Sequence, residues 1–166
     1  KHLKNGIKIG IIDLTRGELG TRGTVETRNQ ETIKSTKILG VQLRENMDFK
    51  DGFFENNEKN KIELIKKIRE YRPDIVLTNA PTDRHPDHGR SSELTIDSCF
   101  LAGLEKIETG QDVWRPQHIY HYIQFNTILP DFVVDITEEM DKKLESILCY
   151  KTQFYNPKSK ESETII

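Results

Sequence analysis

Short apolar runs alternate with longer amphipathic stretches along this chain, and the alternation predicts strands and helices in turn. Ile7-Lys8-Ile9-Gly10-Ile11-Ile12-Asp13-Leu14 is a β-branched run of strand length. Its second half is almost wholly apolar, the pattern of a strand covered on both faces and central in its sheet. A loop with Gly17, Gly20 and Gly23 follows from Thr15 to Thr24, and the stretch Val25 to Leu39, closed by Gly40, predicts a helix. Val41 to Met47 predicts a short strand. Between Asn57 and Tyr71, Ile62, Ile65 and Ile68 recur at helical spacing with Leu64 beside them, and Pro73 prevents continuation. Asp74 to Ala80 predicts a second buried strand; Pro81 opens a loop that leads to Gly89 and a helix to about Leu104. His118 to Gln124 and Phe132 to Ile136 are two further strand candidates. Thr137, followed by Glu138 and Glu139, has the form of an N-cap with acids in the first turn, starting a helix through about Gln153.

Strand, helix, strand, helix implies an α/β fold: a Rossmann-like, mostly parallel sheet with helices on both faces, in one domain over residues 1–166. Such sheets bind ligands at the carboxyl ends of their strands. The opening Lys1-His2-Leu3-Lys4-Asn5-Gly6 reads as the end of a helix stopped by Gly6, so the protein is expected to start earlier. At the other end, Asn156 to Thr164 is polar and aperiodic, as in a mobile loop, and Ile165-Ile166 reads as the start of a further element. The domain is therefore expected to be cut short at both ends.

Composition removes several function classes. With 34% hydrophobic and 31% charged residues, the chain is globular in type rather than disordered or fibrous. A net charge of −2 and the lack of a long basic stretch argue against a nucleic-acid partner, which needs many phosphate contacts. No apolar run approaches the roughly 20 residues of a membrane span. Cys99 and Cys149 have neither metal-type nor disulfide-framework spacing and read as reduced thiols of a cytoplasmic protein.

Two loops, each directly after a predicted buried strand, hold most of the candidate chemistry. His85-Pro86-Asp87-His88 places two imidazoles and a carboxylate within four residues at a helix start, where side chains three apart face the same side. One imidazole can hold a metal while the other faces a substrate, and a neighbouring carboxylate can fix a ring tautomer. The alternative is a polar, solvated loop that caps the next helix. The earlier loop, Thr15 to Thr24, has glycines that can bring main-chain N–H groups close to a ligand, but neither the dinucleotide nor the P-loop spacing. Arg16, Arg22 and Arg28 on or after it fit recognition of a carboxylate or of sugar hydroxyls; ordinary surface arginines are the alternative. Glu18 and Asp83 are either sugar contacts or exposed acids. His118 and His121, three apart in a strand candidate, point to opposite faces and read as structural, while Trp114 is expected to cover the start of a strand.

Taken together, several segments are similar to the PIG-L/LmbE-like de-N-acetylases. They are the run from Asp13 to Gly23, Arg28-x-x-Glu31, Asp51-Gly52-Phe53-Phe54, Arg72-Pro73-Asp74, Asp83-Arg84-His85-Pro86-Asp87-His88 and Trp114-Arg115-Pro116, and the likeness continues through Pro157. Within that group, Thr15-Arg16-Gly17-Glu18-Leu19-Gly20-Thr21-Arg22-Gly23 resembles the deacetylases of bacillithiol biosynthesis, which act on N-acetylglucosaminyl malate. The resemblance implies Zn2+, or another divalent metal such as Fe2+, held in part by His88. It implies that His85 stabilises the tetrahedral intermediate or protonates the leaving amine, with Asp87 orienting it. By the same likeness Arg28 binds substrate; Arg16 and Glu18, from the loop ahead of it, are the other candidate substrate residues. The family's other zinc ligands and its general base lie in an earlier Ala-His-Pro-Asp-Asp loop that this sequence does not contain, and are expected ahead of Lys1. A small sugar conjugate as partner and a homo-oligomer in the cytoplasm complete the expectation.

Overall fold

A computed structural model of the chain describes residues 1–154, so the expectations for Asn156 to Ile166 lie outside the described residues. The chain divides into two compact units, residues 1–51 with those from 132 onward, and Gly52–Asp131. The fold is mixed α/β with parallel strands, as expected.

In the first unit a short 3-10 helix, His2–Asn5, ends at Gly6 in the left-handed conformation (φ 76°), as the sequence implied. Strand β1 (Gly10–Thr15), helix α1 (Val25–Leu39) and strand β2 (Leu43–Phe49) form a β-α-β unit. The strands are parallel, in register from Gly10 opposite Leu43 to Asp13 opposite Asn46, with an irregularity before Thr15 meets Phe49. Across the pair, the Arg44 guanidinium donates to both carboxylate oxygens of Asp13 at 2.7 and 3.0 Å. Helix α1 begins where Thr24 caps the Thr27 N–H and Thr27 returns the bond, and it ends at Gly40 (φ 72°). Ile11 to Thr15 are half-buried rather than fully covered.

Two expectations for this unit fail. Phe132 to Ile136 does not form a strand: Phe132 and Val133 are 57% and 81% exposed, and β-branched residues make a strand only where another strand supplies ladder partners. Thr137 is not a helix cap. Asp135 accepts from both its N–H (2.9 Å) and its hydroxyl (2.6 Å), a local turn that moves the start of helix α4 (Met140–Leu148) beyond a 3-10 turn at Thr137–Glu139. Helix α4 packs on α1 and stops before the expected Gln153. The ladder tightens at Tyr150, whose N–H bonds to the Ile147 carbonyl three residues back, and beyond it the Glu31 carboxylate of α1 takes the N–H and hydroxyl of Thr152 at 3.0 and 2.6 Å.

The second unit carries most of the apolar core. Helix α2 (Glu58–Tyr71), capped by the Asn57 side chain, packs on α3 (Pro86–Leu101), and Leu64, Ile65, Ile68, Leu94 and Cys99 are buried between and around them. Burial pushes the Cys99 thiol up to about 12, so it stays protonated and inert at neutral pH. Strands β3 (Ile75–Thr78) and β4 (His118–His121) pair in parallel, with Ile75 opposite His118 and Thr78 opposite His121. Strand β3 is buried on one face only. Thr78 is covered, but Ile75 and Leu77 on the alternate face are 53% and 62% exposed, so the expected two-sided burial is not found. The Trp114 indole donates to the Pro73 carbonyl at 2.9 Å just ahead of β3, the covering position expected for it. No described helix is long and apolar enough to cross a membrane.

Candidate active site

The loop leaving the carboxyl end of β3 enters α3 through the sequence Asp83-Arg84-His85-Pro86-Asp87-His88. His85 is the N-cap, Pro86 the first helical residue, and His88 sits one turn in. The two rings come together as expected from their spacing, with centroids 5.2 Å apart and planes tilted by 34°. Gly89 lets this turn close, because a Cβ there would lie 3.1 Å from the Pro81 carbonyl oxygen.

Hydrogen bonding gives the two imidazoles different jobs. The Asp87 backbone N–H donates to His85 Nδ1 at 3.2 Å, so that nitrogen offers a lone pair, and the ring carries its proton on Nε2. His88 Nδ1 faces Asp83 Oδ1 at 2.9 Å; an ionised carboxylate only accepts, so here Nδ1 carries the proton and Nε2 keeps its lone pair. One ring thus presents a donor at its outer nitrogen and the other a base or metal ligand. Nothing in the tetrapeptide alone distinguished them.

The acids are placed differently from the sequence expectation. The Asp87 carboxylate does not reach His85. Its Oδ2 accepts from the Gly52 N–H at 2.6 Å and its Oδ1 from Arg90 at 3.0 Å, so it braces the segment at Gly52 while its own N–H holds the ring. The relay from the Asp87 side chain to His85 is therefore replaced by a main-chain contact. Asp83, read as a sugar contact or an exposed acid, is neither: its side chain is only 2% exposed. Besides His88 it accepts from the His85 N–H at 3.1 Å and the Phe125 N–H at 3.2 Å. Burial pushes the Asp83 carboxyl up, but the bonds from His85, His88 and Phe125 together hold it below the ordinary value of 3.8. An acid two residues ahead of an N-cap is the spacing of an Asx turn, which was the available sequence signal.

His121, at the carboxyl end of β4, holds the same loop structurally: its Nδ1 lies 2.7 Å from the Asn79 carbonyl, and the Asn79 side chain in turn accepts from Ser91 and donates to Gln124, both at 2.8 Å. His118 stacks on Tyr120 instead.

In the first unit, the candidate substrate residues are engaged with protein. Arg16 pairs bidentately with Asp48, Glu18 accepts from the Asp51 N–H at 2.7 Å, and Arg22 donates to the Phe154 carbonyl at 2.7 Å. Arg28, 17% exposed, lies 3.5 Å from Glu31 and donates to Thr152 at 3.4 Å. The glycines do permit close approach, but to these side chains: a Cβ on Gly17 would lie 2.9 Å from Arg28, and one on Gly23 2.6 Å from Thr152. Three loop N–H groups are also satisfied internally, Gly17 by Thr15, Leu19 by Asp51 and Gly20 by the Gly17 carbonyl.

Among the described residues no three His, Cys, Asp or Glu side chains come together as a metal cage. The donor chemistry at His88 nevertheless fits one ligand of a divalent ion: a neutral imidazole nitrogen with its lone pair free and a carboxylate behind the other nitrogen.

Known proteins agree with this architecture. The chain is 30% identical over 162 residues to a diacetylchitobiose deacetylase of Thermococcus kodakarensis, covering 90% of this chain and 61% of that protein. It is 24% identical over 143 residues to a 4-oxalmesaconate hydratase of Pseudomonas putida, covering 83% of this chain and 55% of the other. It thus spans less than two thirds of either relative. The crystal structure of a conserved protein from Thermus thermophilus superposes with a TM-score of 0.89 at 34% identity, covering 92% of this chain and 70% of that one. The family model of PIG-L, GlcNAc-PI de-N-acetylase, matches residues 1–99, which take in both loops and the larger part of the chain, and the chain belongs to that family.

Proposed function

We propose that this chain is part of a metal-dependent hydrolase that removes the acetyl group from an N-acetylglucosamine conjugate. The observation that carries the reading is the complementary pair of imidazoles at the start of α3, one with an outward donor and one with an outward lone pair. His88 Nε2 would be one ligand of zinc or ferrous iron, with the remaining ligands and the general base outside the described residues. A metal held there supplies a Lewis acid for the acetamide carbonyl and makes water a usable nucleophile near neutral pH. His85 Nε2–H hydrogen-bonds the oxygen on which negative charge develops as water adds to the carbonyl carbon. The cap on its Nδ1 keeps the ring from turning away and keeps the proton on the outer nitrogen. The general base takes the proton that water loses, His85 Nε2–H delivers one to the amine nitrogen, and cleavage of the C–N bond then yields acetate and a free glucosaminyl amine.

The finer assignment is N-acetylglucosaminyl malate, in bacillithiol biosynthesis, and it rests on the run from Thr15 to Gly23. For contacts to the sugar conjugate we propose that Gly-containing loop, with Arg16, Glu18 and Arg28, whose remaining donors and acceptors are open to a ligand. We also place the protein in the cytoplasm as a homo-oligomer, supported by its two free thiols and by exposed apolar side chains such as Ile128 and Leu129.

Metal-replete full-length protein should release free amine from N-acetylglucosaminyl malate faster than from diacetylchitobiose or a lipid-linked N-acetylglucosamine. Faster release from either of the others would move the substrate but keep the reaction. A second reading, addition of water to a carbon–carbon double bond, is favoured by the likeness to the hydratase. Hydration of 4-oxalmesaconate with no amine released from any acetamide would establish that reading and remove ours.

A further inference from the structure

We propose that Asp83 is a positioning residue for His88: its carboxylate fixes the imidazole as the Nδ1–H tautomer, so that Nε2 keeps the lone pair that a divalent cation needs. The assignment of a metal to His88 rests on the proposed function; the tautomer does not.

The geometry behind this has three parts. Asp83 Oδ1 meets His88 Nδ1 at 2.9 Å, a distance and atom choice that leave only one donor and one acceptor. The carboxylate is itself immobile, since the His85 N–H occupies the same Oδ1 and the Phe125 N–H, from a segment distant in sequence, occupies Oδ2. It is also closed to solvent at 2% exposure, so bulk water does not compete with it for His88 Nδ1–H. His88 itself is 33% exposed, which leaves its outer edge open while its inner edge is tied down. A carboxylate behind a ligating imidazole raises the basicity of the ring and fixes its direction, and loss of such a partner typically costs about 10–100-fold in metal affinity.

A purely structural account would make Asp83 no more than an Asx turn that starts α3. Asp83→Ser separates the two accounts, because its hydroxyl can still serve the His85 N–H two residues on but is too short to reach His88. Asp83→Asn is the conservative control, since its amide oxygen can accept from both the His85 N–H and His88 Nδ1–H, while its NH2 gives up only the Phe125 bond. The full-length protein, 15N-labelled at histidine and freed of metal, would be examined by NMR at about pH 8, where an ordinary imidazole is neutral. Zinc affinity would be measured on the same samples by competition with a chromophoric chelator.

His88 should show a protonated Nδ1 and bare Nε2 in the wild type and in Asp83→Asn, and a mixed or reversed pattern in Asp83→Ser. Zinc should bind about 10–100-fold more weakly to Asp83→Ser, with most of that recovered in Asp83→Asn. An unchanged tautomer in a folded Asp83→Ser variant would overturn the proposal, as would a wild-type ring protonated on Nε2. A correct wild-type tautomer that depends on Asp83, in a protein whose zinc affinity is unaffected by His88→Ala, would instead leave the positioning role standing and remove the metal from the proposed function.

Discussion

Replacing Asp87 with asparagine separates a brace from a catalytic relay. The wild-type carboxylate accepts from two donors, the Gly52 N–H at 2.6 Å and Arg90 Nη1 at 3.0 Å, and is almost buried. An amide has one acceptor oxygen, so Asp87→Asn can serve one donor and must turn its own NH2 toward the other. Loss of a hydrogen bond to a charged group costs about 1.5–3 kcal/mol. The Arg90 side chain is 39% exposed and can turn toward water, which moves the expected cost to the lower end of that range or just under it, about 1–2 kcal/mol. With a urea m-value of about 1–3 kcal/mol/M, the unfolding midpoint should fall by roughly 1 M at unchanged m. Because the carboxylate makes no contact with His85, kcat of the full-length protein should fall by no more than about tenfold, the size of a small displacement at the loop. A midpoint within about 0.2 M of wild type together with a kcat loss of about a thousandfold would refute this reasoning and return the Asp87 carboxylate to the orienting role that the family resemblance implies.

Two further substitutions test the units separately. Gly23→Ala places a Cβ at φ +82° and within 2.6 and 2.8 Å of the Thr152 side chain, so left-handed strain of about 1–2 kcal/mol adds to overlap, and chemical denaturation should show at least about 2 kcal/mol lost. A change below about 0.5 kcal/mol would mean that the Gly-containing loop is not held as described. The hydrogen bond from Lys61 at 2.9 Å, opposed by some burial and aided by Asn56, holds the Asp97 carboxyl below its ordinary 3.8. A depressed folded value means that the stabilisation is full above about pH 4 and is lost as pH falls through that lower value. The side chain is 43% exposed, so Asp97→Asn should cost at most about 1 kcal/mol at pH 6, and the difference from wild type should narrow as the pH is lowered further and further below 3.8. A gap that does not change as the pH is lowered would show that the ion pair is not its source.

Local chemistry made parts of this fold legible. Helix α1 was bounded at Val25 and Leu39 because the left-handed stop at Gly40 is written in one residue, and α2 because its apolar spacing coincides with a side-chain cap at Asn57 and Pro73 beyond its end. Failures came where distant groups competed. Nothing near Gln153 announces that Glu31 will capture Thr152, and nothing in Phe132 to Ile136 says that the segment stays outside the described strands. At the site, residue types and spacing brought His85 and His88 together, but not the group that holds each inner nitrogen. Asp87 is adjacent in sequence, but on the first turn of α3 its side chain turns to Gly52 and Arg90, whereas Asp83 reaches His88 by folding back through an Asx turn.

The central claim is that the imidazole at position 88 binds a metal and the one at position 85 does not. Metal content of the full-length protein, determined by mass spectrometry after purification without chelators for wild type, His85→Ala and His88→Ala, tests it directly. The account predicts near-stoichiometric zinc or iron in wild type and His85→Ala, and loss of most of it in His88→Ala. Retention of metal by His88→Ala with loss from His85→Ala would reverse the two roles, and a metal-free wild type that regains none from added zinc would contradict the account altogether.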